Sequence, residues 1–355
     1  MASHVRTKIL ILSDTHGLDI PSEIKHPVDV VIHCGDLTER STIPEYQNTL
    51  QLLRKIDAPL KLFIAGNHDL SLDPSALRRK VEEAARVSNE TFDGLIEKEL
   101  LDIKNWVDEA RAKNILYLEE GNHEFVLGNG AMLKVYASPY TPSTDGWAFE
   151  YSTHDFNIDM GTDVVITHGP PRGVLDISDG KRIGCPQLFR AVAQSQPKIH
   201  CFGHVHRGWG ARLVAWKQHL SETPTHLTDI DNSNSSVLEH LGNRHEPDDV
   251  AEARKERFTR YKSQGYCRIS HCADDLEPLK EGRSLFLNAA NKGSDELDQV
   301  PWLVEIDLAP ARSQEPDAST STSLRDHAQT NSRKRNMDSE LPKRKDCKRV
   351  RTSTE

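Results

Sequence analysis

The chain has 355 residues, 36% of them apolar and 28% charged, with a formal net charge of −9. That length can bury a full core, as one large domain or two small ones, while the acidic balance argues against a general nucleic-acid coat, because phosphate backbones are bound mainly through Lys and Arg. No stretch approaches the ~18 apolar residues of a membrane span, and Ile9–Leu12 is too short for a signal-peptide core, so an intracellular protein with no membrane contact is expected.

In chain order, Lys8–Ser13 reads as a first strand and Val28–His33 as a second, each an apolar, partly β-branched run. Pro44–Ile56 carries Leu50, Leu52, Leu53 and Ile56 on one helical face, and Pro59 ends it before a third strand, Leu60–Ala65. Asp73-Pro74-Ser75 starts a helical insertion over about 74–113, divided at Gly94, with Leu95, Leu100, Leu101 and Trp106 expected to face inward. Short strands follow at Ile115–Leu118, Glu124–Leu127 and Met132–Ser138, the last two joined by Gly128-Asn129-Gly130, and they imply a second sheet.

Pro186–Gln194 reads as a helix, and strands resume at Lys198, Trp209–Trp216, Leu285–Ala289 and Trp302–Ile306. Between them, residues 217–282 are polar, with one helical stretch near 248–262, and read as a mobile insertion. The main domain is expected over 1–309. From 310 onward large apolar residues almost vanish, so residues 310–355 are expected to form a disordered basic tail. Arg333-Lys334-Arg335, Lys343-Arg344-Lys345 and Lys348-Arg349 within it read either as a signal for a nuclear import receptor, over 333–351, or as a solvated charged tail. A nuclear or nucleo-cytoplasmic location goes with the first reading.

The six cysteines are scattered without a framework, as in a reducing compartment. Cys267, His271 and Cys272 lie close together but lack a second metal-spaced pair, so they read as thiols in an irregular segment.

Five apolar runs end in clusters of metal-competent side chains: Ser13-Asp14-Thr15-His16-Gly17, His33-Cys34-Gly35-Asp36, Gly66-Asn67-His68-Asp69, Thr167-His168-Gly169 and Gly203-His204-Val205-His206. Carboxyl ends of strands are where open α/β sheets place their chemistry. Two divalent cations roughly 3.5–4 Å apart need a shared carboxylate, with imidazole, amide or carboxylate ligands on either side. In one arrangement Asp14, His16 and His206 hold one ion, Asn67, His168 and His204 the other, and Asp36 bridges. A hydroxide between such ions would attack phosphorus in line. His68 is then left to protonate the leaving oxygen, its ring oriented by Glu39 or Asp69, with Glu39 preferred. Any one of these histidines alone is more often structural; their joint occurrence at strand ends is hard to obtain from packing. Arg172 and Arg207 flank two of the clusters and suit bidentate phosphate contacts, although surface arginines beside loops are common.

The five blocks resemble the signature of the calcineurin-like metallophosphoesterases. Gly35-Asp36-Leu37-Thr38-Glu39, Ser138-Pro139-Tyr140-Thr141-Pro142 with Gly146-Trp147, Thr167-His168-Gly169-Pro170-Pro171 and Arg182-Ile183-Gly184-Cys185 are similar to the metallophosphoesterase-domain-containing branch. The resemblance covers roughly 8–210 and 285–308. It implies a four-layer α/β/β/α sandwich of two mixed sheets, two bound divalent cations (Mn²⁺ favoured, with Fe²⁺ and Zn²⁺ as alternatives) and phosphodiester hydrolysis on nucleotide-like substrates. Two other functions compete: a phosphomonoesterase acting on proteins or nucleotides, and a nucleotide-binding regulatory protein with little turnover.

Overall fold

Both faces of the first strand are buried, because successive side chains point to opposite faces: Ile9 and Ile11 join one core and Leu10 and Leu12 another. The computed structural model describes residues 4–21, 24, 26–88, 94–242, 246–293 and 296–311. In chain order the elements are β1 (Val5–Leu12), β2 (Val30–His33), α1 (Ile43–Lys55), β3 (Leu60–Phe63), α2 (Pro74–Ser88), α3 (Leu95–Arg111), β4 (Ile115–Tyr117), β5 (Gly121–Val126), β6 (Met132–Ser138), β7 (Thr141–Pro142), β8 (Glu150–Tyr151), β9 (Val164–Thr167), β10 (Ile177–Ser178), β11 (Lys181–Arg182), α4 (Pro186–Ser195), β12 (Ile199–Phe202), β13 (Gly210–Trp216), β14 (Ile230–His240), α5 (Asp248–Gln264), β15 (Cys267–Ser270), β16 (Arg283–Asn288) and β17 (Trp302–Leu308).

Two mixed sheets result, one ordered β15-β17-β1-β2-β3-β4 and the other β14-β13-β16-β12-β9-β6-β5. The space between them is filled by Ile9, Ile11, Val30, Ile32 and Leu62 from the first and Leu133, Val135, Val164, Ile166, Ile199 and Leu287 from the second. Outside the first sheet lie Tyr46, Leu50 and Leu53 of α1 and Ile103, Trp106 and Ala110 of α3; outside the second, Leu188, Phe189 and Val192 of α4 cover Val165, Phe202 and Phe286. The fold is thus the four-layer α/β/β/α sandwich expected.

Strands β1, β2 and β3 run parallel, with Leu12 opposite His33 and His33 opposite Phe63, so their carboxyl ends emerge side by side. β9 is parallel to both β6 and β12, and β12 is parallel to β16. An isolated bridge between Ser13 and Ala290 joins the ends of the two sheets, reinforced by the Asn291 amide donating to the Ser13 carbonyl at 2.9 Å. Five loops therefore open onto one rim.

Two expectations are corrected. Residues 217–282, read as a mobile insertion, supply ordered strands to both sheets: β14 pairs with β13 at the edge of the second sheet, and β15 pairs with β17 at the edge of the first. The polar composition suits edge strands; much of β14 is exposed, whereas its first residue, Ile230, is buried. In α3, Trp106 is buried at 2% exposure while Leu95 and Leu101 are 44% and 56% exposed. The face that docks is set by Ile103, Trp106 and Ala110, spaced three and four apart, and Leu101 falls off that stripe. The basic clusters at 333–351 lie outside the described residues.

Candidate metal centre

Four of the strand-end residues, Asp14, His16, Asp36 and His204, have positive φ values of 54°, 49°, 52° and 65°. Left-handed backbone at a residue other than glycine is strained, and it persists where surrounding structure enforces it. Here it turns successive side chains off the strand direction toward the rim. Gly66 is required by close approach: a Cβ there would lie 2.3 Å from Asp36 Oδ1 and 2.7 Å from the His168 ring.

Asp36 stands at the middle. Its Oδ1 is 3.3 Å from His168 Nε2, and its Oδ2 is 3.8 Å from His16 Nε2. On one side, His168 Nε2 and His204 Nδ1 both converge on Asn67 Oδ1, at 2.9 and 2.8 Å. On the other, His206 Nε2 is 3.3 Å from Asp14 Oδ1. Groups of potential ligand atoms within mutual reach comprise Asp14, His16 and His206; Asp36, His168 and His204; and His16, Asp36 and His68. Tertiary structure thus brings together all seven residues singled out as ligands, and sets His68 beside them. Cys267, His271 and Cys272 form no such group among the described residues.

These residues fit divalent cations for two reasons. Asp14 and Asp36 are buried, at 0% and 2% exposure, and among the described residues their ion-pair partners are histidines alone. A buried carboxylate is costly without nearby positive charge, and cations between the ligand sets would provide it. In addition, both ring nitrogens of His16 are buried without a hydrogen-bond partner among the described residues, and Nε2, which faces Asp36, is placed as a ligand atom would be.

The electrostatics carry the same signature. Burial opposes ionisation of Asp36, yet His168 and His16 hold its carboxyl well below the ordinary range. Burial likewise opposes the charged His168 ring, but Asp36 pushes it up to about 9. Burial, followed by the neighbouring His168, lowers His204 to about 4, so that ring is neutral.

Around this shell, His168 Nδ1 lies 3.0 Å from the Cys34 carbonyl and His16 Nδ1 3.0 Å from a Glu39 carboxylate oxygen. The Cys34 carbonyl is the kind of outer partner that fixes the tautomer and orientation of a ligating imidazole, whereas the Glu39 carboxylate acts on His16 by charge, without a hydrogen bond to Nδ1. Glu39 is in turn held by Lys292 Nζ at 2.5 Å. The contact from Glu39 to the His68 ring is therefore made differently from expectation: its main-chain carbonyl accepts from Nδ1 at 2.8 Å, while its carboxylate faces His16 and Lys292. Asp69 does not touch the ring; it accepts from the amides of Leu37, Thr38 and Gly66 and from the Thr38 hydroxyl, tying the second and third loops together.

Arg172 is exposed and reaches the Arg182 carbonyl at 3.5 Å; Arg207 is exposed on a short 3-10 turn, His206–Gly208. Sequence reasoning missed Lys292. Its only sequence cue is that it follows the Asn288–Asn291 run at the end of β16, and nothing local links it to Glu39, 253 positions away.

A two-sheet sandwich whose strand ends gather histidines, carboxylates and an asparagine around a shared aspartate defines a metallophosphoesterase type of centre. The family model described as calcineurin-like phosphoesterase matches residues 7–208, and the chain belongs to that family. It is 31% identical over 220 residues to metallophosphoesterase domain-containing protein 1 of Homo sapiens, covering 58% of this chain and 62% of that protein. It is 30% identical to UPF0046 protein T07D4.2 of Caenorhabditis elegans, covering 61% and 55%. Similarity at 32% identity extends over 59% of this chain to 18% of the probable rhamnogalacturonate lyase C of Emericella nidulans. The chain thus spans less than two thirds of the length of each of these relatives.

Proposed function

We propose that the protein is a dinuclear metal-dependent phosphodiesterase acting on nucleotide-type phosphodiesters. The observation that carries this reading is the position of Asp36 between two ligand sets, within reach of His16 on one side and of His168 and His204 on the other, with the His68 ring beside His16 and Asp36. Asp14, His16 and His206 would hold one cation, Asn67, His168 and His204 the other, and Asp36 both, with Mn²⁺ favoured. When bound, two such cations supply Lewis acidity at the phosphoryl group and a nucleophilic water of lowered pKa.

His68 supplies the proton. Its main-chain amide donates to Asp36 Oδ1 at 2.9 Å and its Nδ1–H donates to the Glu39 carbonyl at 2.8 Å, so the imidazolium, protonated on both nitrogens, would pass the Nε2 proton to the departing oxygen and be left as the neutral ring. A positioned acid of this type contributes about 10²–10⁴-fold. Arg172 and Arg207 flank the loops as further phosphate contacts. In the same reading residues 1–309 form the catalytic domain and the basic clusters at 333–351 address the protein to the nucleus.

The test is hydrolysis of bis-p-nitrophenyl phosphate and p-nitrophenyl phosphate by metal-stripped protein with Mn²⁺, Fe²⁺, Zn²⁺ or Mg²⁺ restored. Diester cleavage should return with metal and exceed monoester cleavage. Asp36→Asn should abolish it, and His68→Ala should keep both ions while slowing turnover about 10²-fold or more. Preference for the monoester would replace this reading with a phosphomonoesterase, and silence in folded, metal-loaded protein would favour a binding role.

A further inference from the structure

Trp147 is 45% exposed, yet its neighbours Ala148 and Phe149 are buried. Its ring lies over that of His68, with centroids 4.6 Å apart and planes inclined by 36°, and His68 in turn meets His16 edge-on at 4.9 Å. The indole is therefore the outermost member of a file of rings that ends at the ligand cluster.

The loop that presents it is tightly built. The Ala148 amide donates to the carbonyl of Asn67 at 3.2 Å, so the segment is pinned directly to a ligand loop. The Phe149 amide donates to Asp73 at 2.9 Å, and Glu150 accepts from the amides of Asp145 and Gly146 at 3.2 and 2.7 Å. Gly146 has φ of +84° and a Cβ there would lie 3.3 Å from Lys80 Nζ, so the turn that precedes the indole favours glycine and lies against the Lys80 ammonium. Arg79 of the same helix reaches the Trp147 carbonyl at 3.5 Å. So many constraints hold a large apolar ring where its outer part stays in water. Keeping His68 in place would not require that exposure; an aromatic ligand arriving from solvent would.

Resting on the phosphodiesterase reading, we propose that Trp147 is the wall of a leaving-group subsite that receives the aromatic base of a nucleotide, stacked on the indole while its ester oxygen faces His68. Stacking on an aromatic platform recognises any base through its π face, and the cations of Arg79 and Lys80 beside the loop suit an anionic ligand.

The experiment compares a purine nucleoside monophosphate with ribose 5-phosphate. Both bring the same phosphate to the cations, and only one brings a base. Using full-length protein loaded with the cation that supports turnover, their inhibition of bis-p-nitrophenyl phosphate hydrolysis and their quenching of tryptophan fluorescence are measured. Wild type should bind the nucleotide about tenfold or more tighter than the sugar phosphate. Trp147→Ala should bring that ratio close to one, and Trp147→Phe should keep most of it. Equal binding of the two by wild type, or an unchanged ratio in Trp147→Ala even with slower turnover, would overturn the subsite and leave the indole as a support for His68. Wild type that hydrolyses nothing yet keeps the ratio by fluorescence would sink the phosphodiesterase reading and leave the subsite standing.

Discussion

Glu39 carries two functions through two different atoms. Its carbonyl engages His68 and its carboxylate engages His16, so one residue couples the proposed acid to one ligand set. Burial raises the carboxyl pKa, but Lys292 and His16 hold it below its ordinary range, so the group facing His16 Nδ1 is an anion. Lys292 thus keeps a ligand's outer partner in place from outside the five loops. Lys292→Met should weaken the ion held by Asp14, His16 and His206 by about tenfold, at the lower end of what outer-shell partners are worth, and leave the other ion unaffected; Lys292→Arg should restore it. Competition with a graded chelator reads both affinities, and two ions bound as in wild type would make the Lys292 pair a bystander.

At the scale of elements, the helical layer over the first sheet depends on one large side chain. Trp106 packs at 4.9 Å from Tyr46 of α1 and 5.4 Å from Phe63 of β3, joining α3 to both neighbours. Trp106→Ala should cost about 3–5 kcal/mol through lost transfer energy and the cavity left behind. Leu101→Ala, on the exposed flank of the same helix, should stay within about 0.5 kcal/mol. Urea unfolding of the two variants, followed by circular dichroism, measures both. The pair tests the corrected facing of α3, because equal losses would restore the inward placement of Leu101. Helix existence and limits here were legible from Pro74, Gly94 and the absence of proline, whereas facing was not: in a stretch with apolar residues on several sides, the neighbour decides which of them is buried.

Considered whole, the protein buries histidines that hold no place in the centre. His200 is fully buried on β12, 2.9 Å from the Thr167 hydroxyl, and burial pushes its pKa down to about 3; His33 is lowered to about 3 as well, again chiefly by burial. Because the folded pKa of His200 lies below its ordinary value near 6.5, the unfolded chain binds a proton that the native state does not between those two values. Stability is therefore complete above about pH 6.5 and is lost as pH falls toward 3, at up to about 1.4 kcal/mol per pH unit for each such group. His200→Gln keeps a partner for Thr167 without titrating. Across pH 6 to 4 its unfolding free energy should fall less steeply than that of wild type by about that amount, measured by denaturant titrations at fixed metal; parallel curves would mean that His200 is protonated in the fold.

Sequence by itself determined the chemistry on offer and the end of the fold where it sits. Apolar runs that stop at Gly, Asp, Asn and His declare buried strands with polar carboxyl ends, because a strand covered on both faces reads as a near-continuous apolar run and leaves the cation-binding side chains to the loops at its end. It also determined most helices and strands of the two central layers, through local period, proline and glycine. Only the tertiary structure decided what depends on partners distant in the chain: that Ser13 and Ala290 join the two sheets, that Lys292 meets Glu39, that Trp147 lies over His68, and that the polar stretch after β13 completes both sheet edges. An edge strand needs hydrogen-bonding neighbours more than it needs apolar residues, so nothing in its composition announces where it will pair.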